Sequence, residues 1–504
     1  MLQERAKQLS YITLIVVLVV LSLARIGLAH AQQEGEVVWD PPINLSNTAG
    51  ASTRPTLAVD SWGQVHVFWS EKVNGTAPHD GEEIGAGDTI FYRRWDGTAW
   101  SEPLDIFFNH SDFGAFKEPA VAVDSKDILH LLWVGPDGVY YSQSSVLEPV
   151  SAKSWRLAQV IVKGDQVDQA ELVIGPSDQI YAVYNRLNEQ DGYVYFLSSQ
   201  DGGDTWTEPE PVAFLFNSEA KWAYRPRITI DAAGTLHVSW LEYTGPPDFQ
   251  GIAFYHSMSE DGGSSWSEPF NLADDLKRPD EQVSEGLIVP LADNNLLALY
   301  IQGEFTYRRY RLSPDGGRTW YPPRHIFGDF VSRAGWDTMA VDSAGTAYLI
   351  AQLRVPYALY TSFWANGRWR DPPQPVLTEE PLNEAHYPQM VISEGNQLHV
   401  VMQDMVIGEI WYMRGTSPAS HISPPPLPTL QPTATLQPTP VPSPTPDLTP
   451  TPGRQTFEFD SEAPPQSVTD ITTSPGFSVA FGATISALLI GVVVLANGLF
   501  RSKW

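Results

Sequence analysis

One pattern recurs along most of this chain: an apolar run, a short polar turn and a second apolar run. It reads "RPTLAVDSWGQVHVFW" from Arg54 to Trp69, "EPAVAVDSKDILHLLW" from Glu118 to Trp133, "QAELVIGPSDQIYAVY" from Gln169 to Tyr184 and "RPRITIDAAGTLHVSW" from Arg225 to Trp240. Weaker copies begin at Ser284, Trp336 and Tyr387, so successive starts lie 51 to 64 residues apart. A repeat of this length is one supersecondary unit that cannot bury its own faces. It must stack on its neighbours.

A third apolar segment usually follows, as in "TIFYRRW" (Thr89–Trp95) or "IAFYHSM" (Ile252–Met258), and then "WSEPLDI" (Trp100–Ile106) or "WSEPFNL" (Trp266–Leu272). Four short strands per roughly 50 residues mark a propeller blade. The first two runs are apolar on both faces, which places them inside, covered by adjacent blades. The chain is therefore expected to be all-β, a propeller of four-stranded antiparallel blades over residues 35–416. Seven blades are expected, or six if the divergent unit at 284–331 is not one. The last unit ends at Glu409–Pro418 without a fourth strand. "VVWDPPINL" (Val37–Leu45) matches the missing piece, so the N-terminal strand is expected to close the last blade and remove two open edges.

Between the third and fourth strands of three units stand "SQDGGDTW" (Ser199–Trp206), "SEDGGSSW" (Ser259–Trp266) and "SPDGGRTW" (Ser313–Trp320). Asp201, Asp261 and Asp315 can accept backbone N–H groups within the turn, with Ser199, Ser259 and Ser313 beside them. Gly203, Gly263 and Gly317 tolerate positive φ. Thr205, Ser265 and Thr319 can bond back across the turn, and Trp206, Trp266 and Trp320 can bury between blades. A fastener is the expected role, because a motif on three separate blades cannot converge on one ligand. These turns resemble the Asp-box, or BNR, repeat of the sialidase-like propellers, and the resemblance spans about residues 35–416. Shortened forms stand at Trp95–Trp100 and Asn366–Trp369.

A site is expected on the face where the innermost strands begin and the second strands end. Aligned starts are Arg54, Glu118, Gln169, Arg225, Ser284, Trp336 and Tyr387, and aligned ends include Glu71, Arg186, Glu242, Gln302 and Asp404. By register, Arg54, Arg186 and Arg225 form a candidate carboxylate clamp, guanidinium being bidentate. Glu71, Trp336 and Asp404 are further ligand-binding candidates. Sialidases of the family use three arginines, a Tyr–Glu nucleophile pair and an Asp acid/base. The resemblance thus points to Tyr387 with Glu118 or Glu242 as catalytic candidates. Thr53-Arg54-Pro55 and Tyr224-Arg225-Pro226 resemble the family's Arg-Ile-Pro motif but lack its Ile, and seven blades depart from the family enzymes' six. His66, His130, His237 and His399 share a second-strand register across four blades, which suits a structural role better than a metal cluster. No metal or cofactor is expected.

Both ends read as targeting segments. Arg5 and Lys7 precede the apolar run Ile12–Ala24, and Ala29-His30-Ala31 is a small-x-small cleavage signal, so residues 1–31 are expected to be a signal peptide; an uncleaved anchor is the alternative. Residues 417–475 open with a Pro/Thr-rich stretch and are expected to form a disordered stalk. Residues 477–500 carry no charge and, as a helix of about 36 Å, suffice for a transmembrane span. Arg501 and Lys503 then put the 501–504 tail in the cytoplasm. With no cysteine, disulfide and thiolate chemistry are excluded. A formal charge of −28 disfavours nucleic acid. The expected protein is a membrane-anchored, cell-surface propeller that binds a glycan or a surface protein without turnover. The alternative is a sialidase-like glycoside hydrolase.

Overall fold

The computed structural model describes residues 36–427, apart from 74–85, 110–115, 148–150, 165, 188–191, 218, 246–248, 277–281, 304–306, 328–333, 355–356, 372 and 378–383. The expected signal peptide, most of the stalk and the expected transmembrane segment lie outside the described residues.

Seven antiparallel sheets follow one another along the chain. Blade 1 runs Ala51–Val59, Val65–Lys72, Thr89–Trp95 and Leu104–Phe108, from innermost to outermost strand. Blade 4 repeats the scheme with Trp222–Ile230, Leu236–Tyr243, Gly251–Ser259 and Phe270–Asn271. Blades 2, 3, 5 and 6 begin at Phe116, Val167, Val283 and Ala334. The divergent unit at 284–331 is a full blade, so the propeller has seven. Blade 2 carries an extra pairing on its inner edge, where Ala86 lies opposite Lys117.

Blade 7 comprises Ala385–Ser393, Gln397–Asp404 and Glu409–Thr416, and its outer strand comes from the other end of the chain. Val38 pairs with Thr416 and Trp39 with Gly415, then Ile43 with Tyr412 and Asn44 with Trp411. Leu45 N–H donates to Ile410 O at 2.7 Å, and its side chain is fully buried at the junction of blades 7 and 1 beside Val401, Ile410 and Trp69. Seven buried apolar clusters occur among the described residues, one at each junction. Trp69, Trp133, Tyr184, Trp240 and Tyr300 form the expected inner layer and are all essentially inaccessible.

The DGG turns fasten neighbouring blades. In each, the Asp side chain accepts the N–H and hydroxyl of the residue four positions on. For Asp261 these are Ser265 N at 2.9 Å and Ser265 Oγ at 2.6 Å. Ser259 Oγ donates to Asp261 at 2.8 Å and accepts Gly263 N–H at 2.8 Å. Asp201 and Asp315 repeat this. The hydrogen bonds, led by Thr205 and Ser265 hydroxyls, lower the Asp201 and Asp261 carboxyls to about 2. Gly263 takes φ of 93°, and a Cβ there would meet the Phe196 ring of the preceding blade at 2.1 Å. Trp206, Trp266 and Trp320 pack edge-on against Tyr141, Phe196 and His256 of the preceding blade. First and third strands run the same way, so these turns lie on the face opposite the starts of the innermost strands.

The second-strand histidines are buried links within blades. His66 Nδ1 meets Tyr92 OH at 2.8 Å and Nε2 meets Asp60 at 3.3 Å. His130 lies between Tyr141 and Asp124, and His399 between Tyr412 and Ser393. His237 contacts His256 and Asp231. Burial pushes all of them down, His256 and His399 to about 3.

Two outcomes are expected. Leu45→Ala costs about 3 kcal/mol of unfolding free energy, whereas Val38→Ala, at an exposed position of the same closing segment, costs less than about 0.5 kcal/mol. Equal losses in urea titrations contradict strand closure. Because the histidines' folded pKa values lie below the unfolded value near 6.5, the unfolded chain takes up protons first on acidification. Stability present above about pH 6.5 is therefore lost progressively toward pH 3, at pH 5 by about 2 kcal/mol for each of His256 and His399. The fall in Tm between pH 7 and 5 should shrink in His399→Gln; an unchanged fall contradicts this.

Candidate functional site

Every innermost strand slips register near its start. Pairing jumps from Thr53 to Thr56, from Lys117 to Ala120, from Tyr224 to Arg227 and from His386 to Gln389, and blades 3, 5 and 6 do the same. A β-bulge leaves one residue unpaired and re-aims its side chain. Arg54, Glu118, Arg225 and Tyr387 hold positive φ, at 52°, 33°, 52° and 50°. Each precedes a proline, which has no N–H and so forfeits no ladder bond where pairing is already broken. Such conformations cost of order 1–3 kcal/mol each and cluster at functional sites. Second-strand side chains accept backbone N–H groups at the bulges, across the junction of blades 7 and 1 for Arg54 and within the same blade for Gln169 and Trp336. Gln403 Oε1 accepts Arg54 N–H at 3.2 Å, Asn185 Oδ1 accepts Gln169 N–H at 3.0 Å and Gln352 Oε1 accepts Trp336 N–H at 2.9 Å.

The bulges build a polar ring around the channel mouth. Arg54, Glu118, Gln169, Arg225, Trp336 and Tyr387 line one cavity of about 80 Å³, together with Glu171, Arg227 and Glu285. Charges within it are matched in pairs across blade junctions. Arg54 bridges to Glu118, Arg225 to Glu285 and Arg227 to Glu171. Gln169 Nε2 donates to the second oxygen of Glu118 at 2.7 Å. Burial pushes the Glu118 carboxyl up, but Arg54, Arg225, Arg227 and the Gln169 bond outweigh it and hold the group below its usual range. Burial opposes protonation of Arg225, and Glu285 with nearby groups more than restores it. The Arg54 guanidinium lies 3.7 Å over the Tyr387 ring, and Trp336 meets that ring edge-on at 4.5 Å. Nε of Arg54, Nε of Arg225 and Oε1 of Gln169 are buried without a hydrogen-bond partner among the described residues.

The register expectation is met in part. Arg54, Arg225, Glu118, Trp336 and Tyr387 come together. Arg186 is not in that cavity. Its guanidinium lies 5.5 Å from the Tyr195 ring and donates to Lys163 O, so the clamp of Arg54, Arg186 and Arg225 does not form. Glu242 is spent elsewhere, accepting Phe216 N–H at 2.8 Å and Asn217 N–H at 3.0 Å, and burial pushes its carboxyl up. Glu71 is buried, accepting Thr48 Oγ1, Ser52 Oγ and Trp69 Nε1. Asp404 accepts Val406 N–H at 2.9 Å in the turn that follows. Second strands thus end in loop anchors, because their last residues point between blades. The ring members absent from the aligned starts are Glu171, Arg227 and Glu285. Glu171 and Arg227 stand two residues past Gln169 and Arg225, and period-2 alternation was the available signal. Among the described residues no cluster of three metal-ligating side chains occurs.

Fold and site define an all-β, seven-bladed propeller with a charge-paired ring at one end of its channel. No family model matches the chain, and no curated protein matches its sequence. Among solved structures, a polysaccharide lyase of a new family, the PL25 ulvan lyase, is similar over 75% of this chain and 97% of its own, with 11% identity and a TM-score of 0.54. The same lyase has also been solved bound to -[GlcA(1-4)Rha3S]-. The polysaccharide lyase Uly1 is similar over 72% of this chain and 89% of its own, at 10% identity and a TM-score of 0.50. The Hadza microbial sialidase Hz136 matches at 15% identity over 73% of this chain and 66% of its own, with a TM-score of 0.42. At such identities the likeness to the two lyases shows the fold alone.

Glu118→Gln is expected to strand the Arg54 cation and lower unfolding free energy by about 2–3 kcal/mol, partial exposure reducing the full buried-pair penalty. Arg54→Met with Glu118→Leu, which removes both charges, should come within about 1 kcal/mol of the wild type. A double variant worse than the single one contradicts the pairing.

Proposed function

We propose that this propeller is the binding head of an exported, membrane-tethered protein, taking a glycan or surface-protein ligand at its ring face without turning it over. One observation carries the reading: each arginine of the ring is already engaged by a carboxylate, and each candidate nucleophile partner by another group. Glu118 serves Arg54 and Gln169, and Glu242 serves the backbone of Phe216 and Asn217. Neither Glu118 nor Glu242 is thus left to pair with Tyr387 as a nucleophile. The cavity of about 80 Å³ is also small beside the 300–1,000 Å³ usual for sites that engulf a small molecule. A ligand would rest on the ring rather than enter it, meeting the outer edges of its polar side chains. The polysaccharide bound by the ulvan lyase is compatible with a glycan here.

The chain leaves the last blade on the face opposite the ring. After Thr416, residues 417–422 cross the face opposite the ring. Ser417 N–H donates to Asn396 O at 2.9 Å, Ser417 Oγ to Asp342 at 3.3 Å and Ile422 N–H to Glu394 O at 2.7 Å. The first residues of the expected stalk are thus bonded to the turns of blades 6 and 7.

On intact cells producing the full chain, added protease should shed the propeller, and a fluorogenic sialoside should stay uncleaved. Sialoside release that disappears in Arg225→Ala would overturn the binding-only reading in favour of hydrolysis.

A further inference from the structure

The ring face is not uniform: exposed aromatic side chains gather over blades 3 and 4. The connection from the outer strand of blade 3 to the inner strand of blade 4 carries Phe214, 63% exposed, and Phe216, 47% exposed. Leu215 between them packs into the blade 3–4 core, so the alternation turns both phenylalanines outward. Phe249, on the loop after the second strand of blade 4, is 52% exposed. Two ring pairs result. Tyr193 and Phe214 meet edge-on at 5.1 Å, and Trp222 and Phe249 meet with tilted planes at 5.4 Å. All five residues lie where second and outer strands end or first and third strands begin, which is the ring face.

This surface is fixed rather than incidental. Buried Glu242 holds the backbone N–H groups of Phe216 and Asn217. Lys221 N–H donates to Tyr243 O at 2.8 Å, Ala223 N–H to Gly192 O at 2.7 Å and Asn185 Nδ2 to Ala223 O at 2.9 Å. The backbone beside Tyr193, Phe216 and Trp222 is therefore fixed by the neighbouring strands before any ligand arrives. Such preorganisation lowers the ordering cost of binding. Exposed aromatic groups of this kind mark a binding surface.

Electrostatics select the ligand. The ring arginines are neutralised by Glu118, Glu171 and Glu285, and Lys117 lies 3.5 Å from Asp168. Within 214–222 one acid, Glu219, stands against one base, Lys221. The whole chain carries −28, so a polyanion approaches against the field. The loops that carry the aromatic rings also carry polar Asn217, Thr244 and Gln250, unlike the continuous apolar core expected of a protein interface. Flat rings spaced by hydrogen-bonding groups fit sugar rings, whose C–H faces stack and whose hydroxyls bond at the edges.

Resting on the glycan-binding reading above, we propose that Tyr193, Phe214, Phe216, Trp222 and Phe249 form a platform for an uncharged oligosaccharide chain, with Glu242 as the positioning residue for its central loop. The test is calorimetric titration of the full chain in detergent with neutral hexaoses (cello-, manno-, xylo- and arabino-series) and with acidic probes (hexagalacturonate and sialyllactose). The expected result is binding of a neutral hexaose, weakened at least tenfold by Phe214→Ala with Phe249→Ala while Tm is unchanged. Glu242→Gln should weaken the same titration, and the double variant should leave the ring ion pairs intact. Binding of acidic probes alone, or neutral binding indifferent to the double variant, overturns this assignment and leaves the broader glycan reading standing. Absence of binding by every probe defeats both this assignment and the glycan ligand of the broader reading.

Discussion

A wheel of sheets has one joint, and here that joint is the pairing of the N-terminal segment with the last blade. Without Val38–Asn44, the strand Glu409–Thr416 would be a bare edge and blade 7 would have three strands. Unpaired edges invite association with other chains. The joint is also where the first and last parts of the propeller become one core. Leu45 buries between Val401, Ile410 and the inner strands of blade 1. Every other junction is covalently consecutive, so its blades are held near each other by the chain itself. This junction depends on packing and hydrogen bonds alone. The ring geometry follows from it, since Arg54 of blade 1 sits on Tyr387 of blade 7 and donates its backbone N–H to Gln403 Oε1.

The two faces of the wheel do different work. On one, Asp and Ser side chains close tight turns whose tryptophans reach the preceding blade, and the departing chain is stitched to the inner turns. On the other, bulges at prolines turn charged side chains into the channel, where opposite charges from adjacent blades meet. Those pairs join neighbouring blades at the axis as the tryptophans do at the rim. A partly buried ion pair contributes little net stability, but removing one partner is costly. The ring therefore resists piecemeal substitution without needing to be catalytic.

Much of this was legible in the sequence. The blade number, strand order and closing segment followed from the repeat, because a 50-residue period with two-faced apolar strands leaves few ways to bury both faces. The turn chemistry of Asp201, Asp261 and Asp315 was legible because its bonds are local, spanning two to four residues. The ring was half legible. Residues at bulges, such as Arg54, Glu118 and Tyr387, stand out beside their prolines. Residues at the ends of second strands, such as Arg186, Glu242 and Glu71, do not reveal their direction, because it is set by which loop needs anchoring. Glu285 escaped because in blade 5 the inward carboxylate stands one residue beyond the aligned Ser284. The aromatic loops over blades 3 and 4 have no repeat signature at all, since they occur once.

Hydrogen–deuterium exchange of the full chain tests the closed wheel most directly. Peptides covering Asp40 and Leu45 should be protected as strongly as those from the inner strands of blade 1, because their amides donate to Arg414 O and Ile410 O. Protection of 409–416 should match that of the corresponding third strand in blade 4. Rapid exchange across 38–45, with slow exchange everywhere else in the blades, would mean an open ring and would contradict the account.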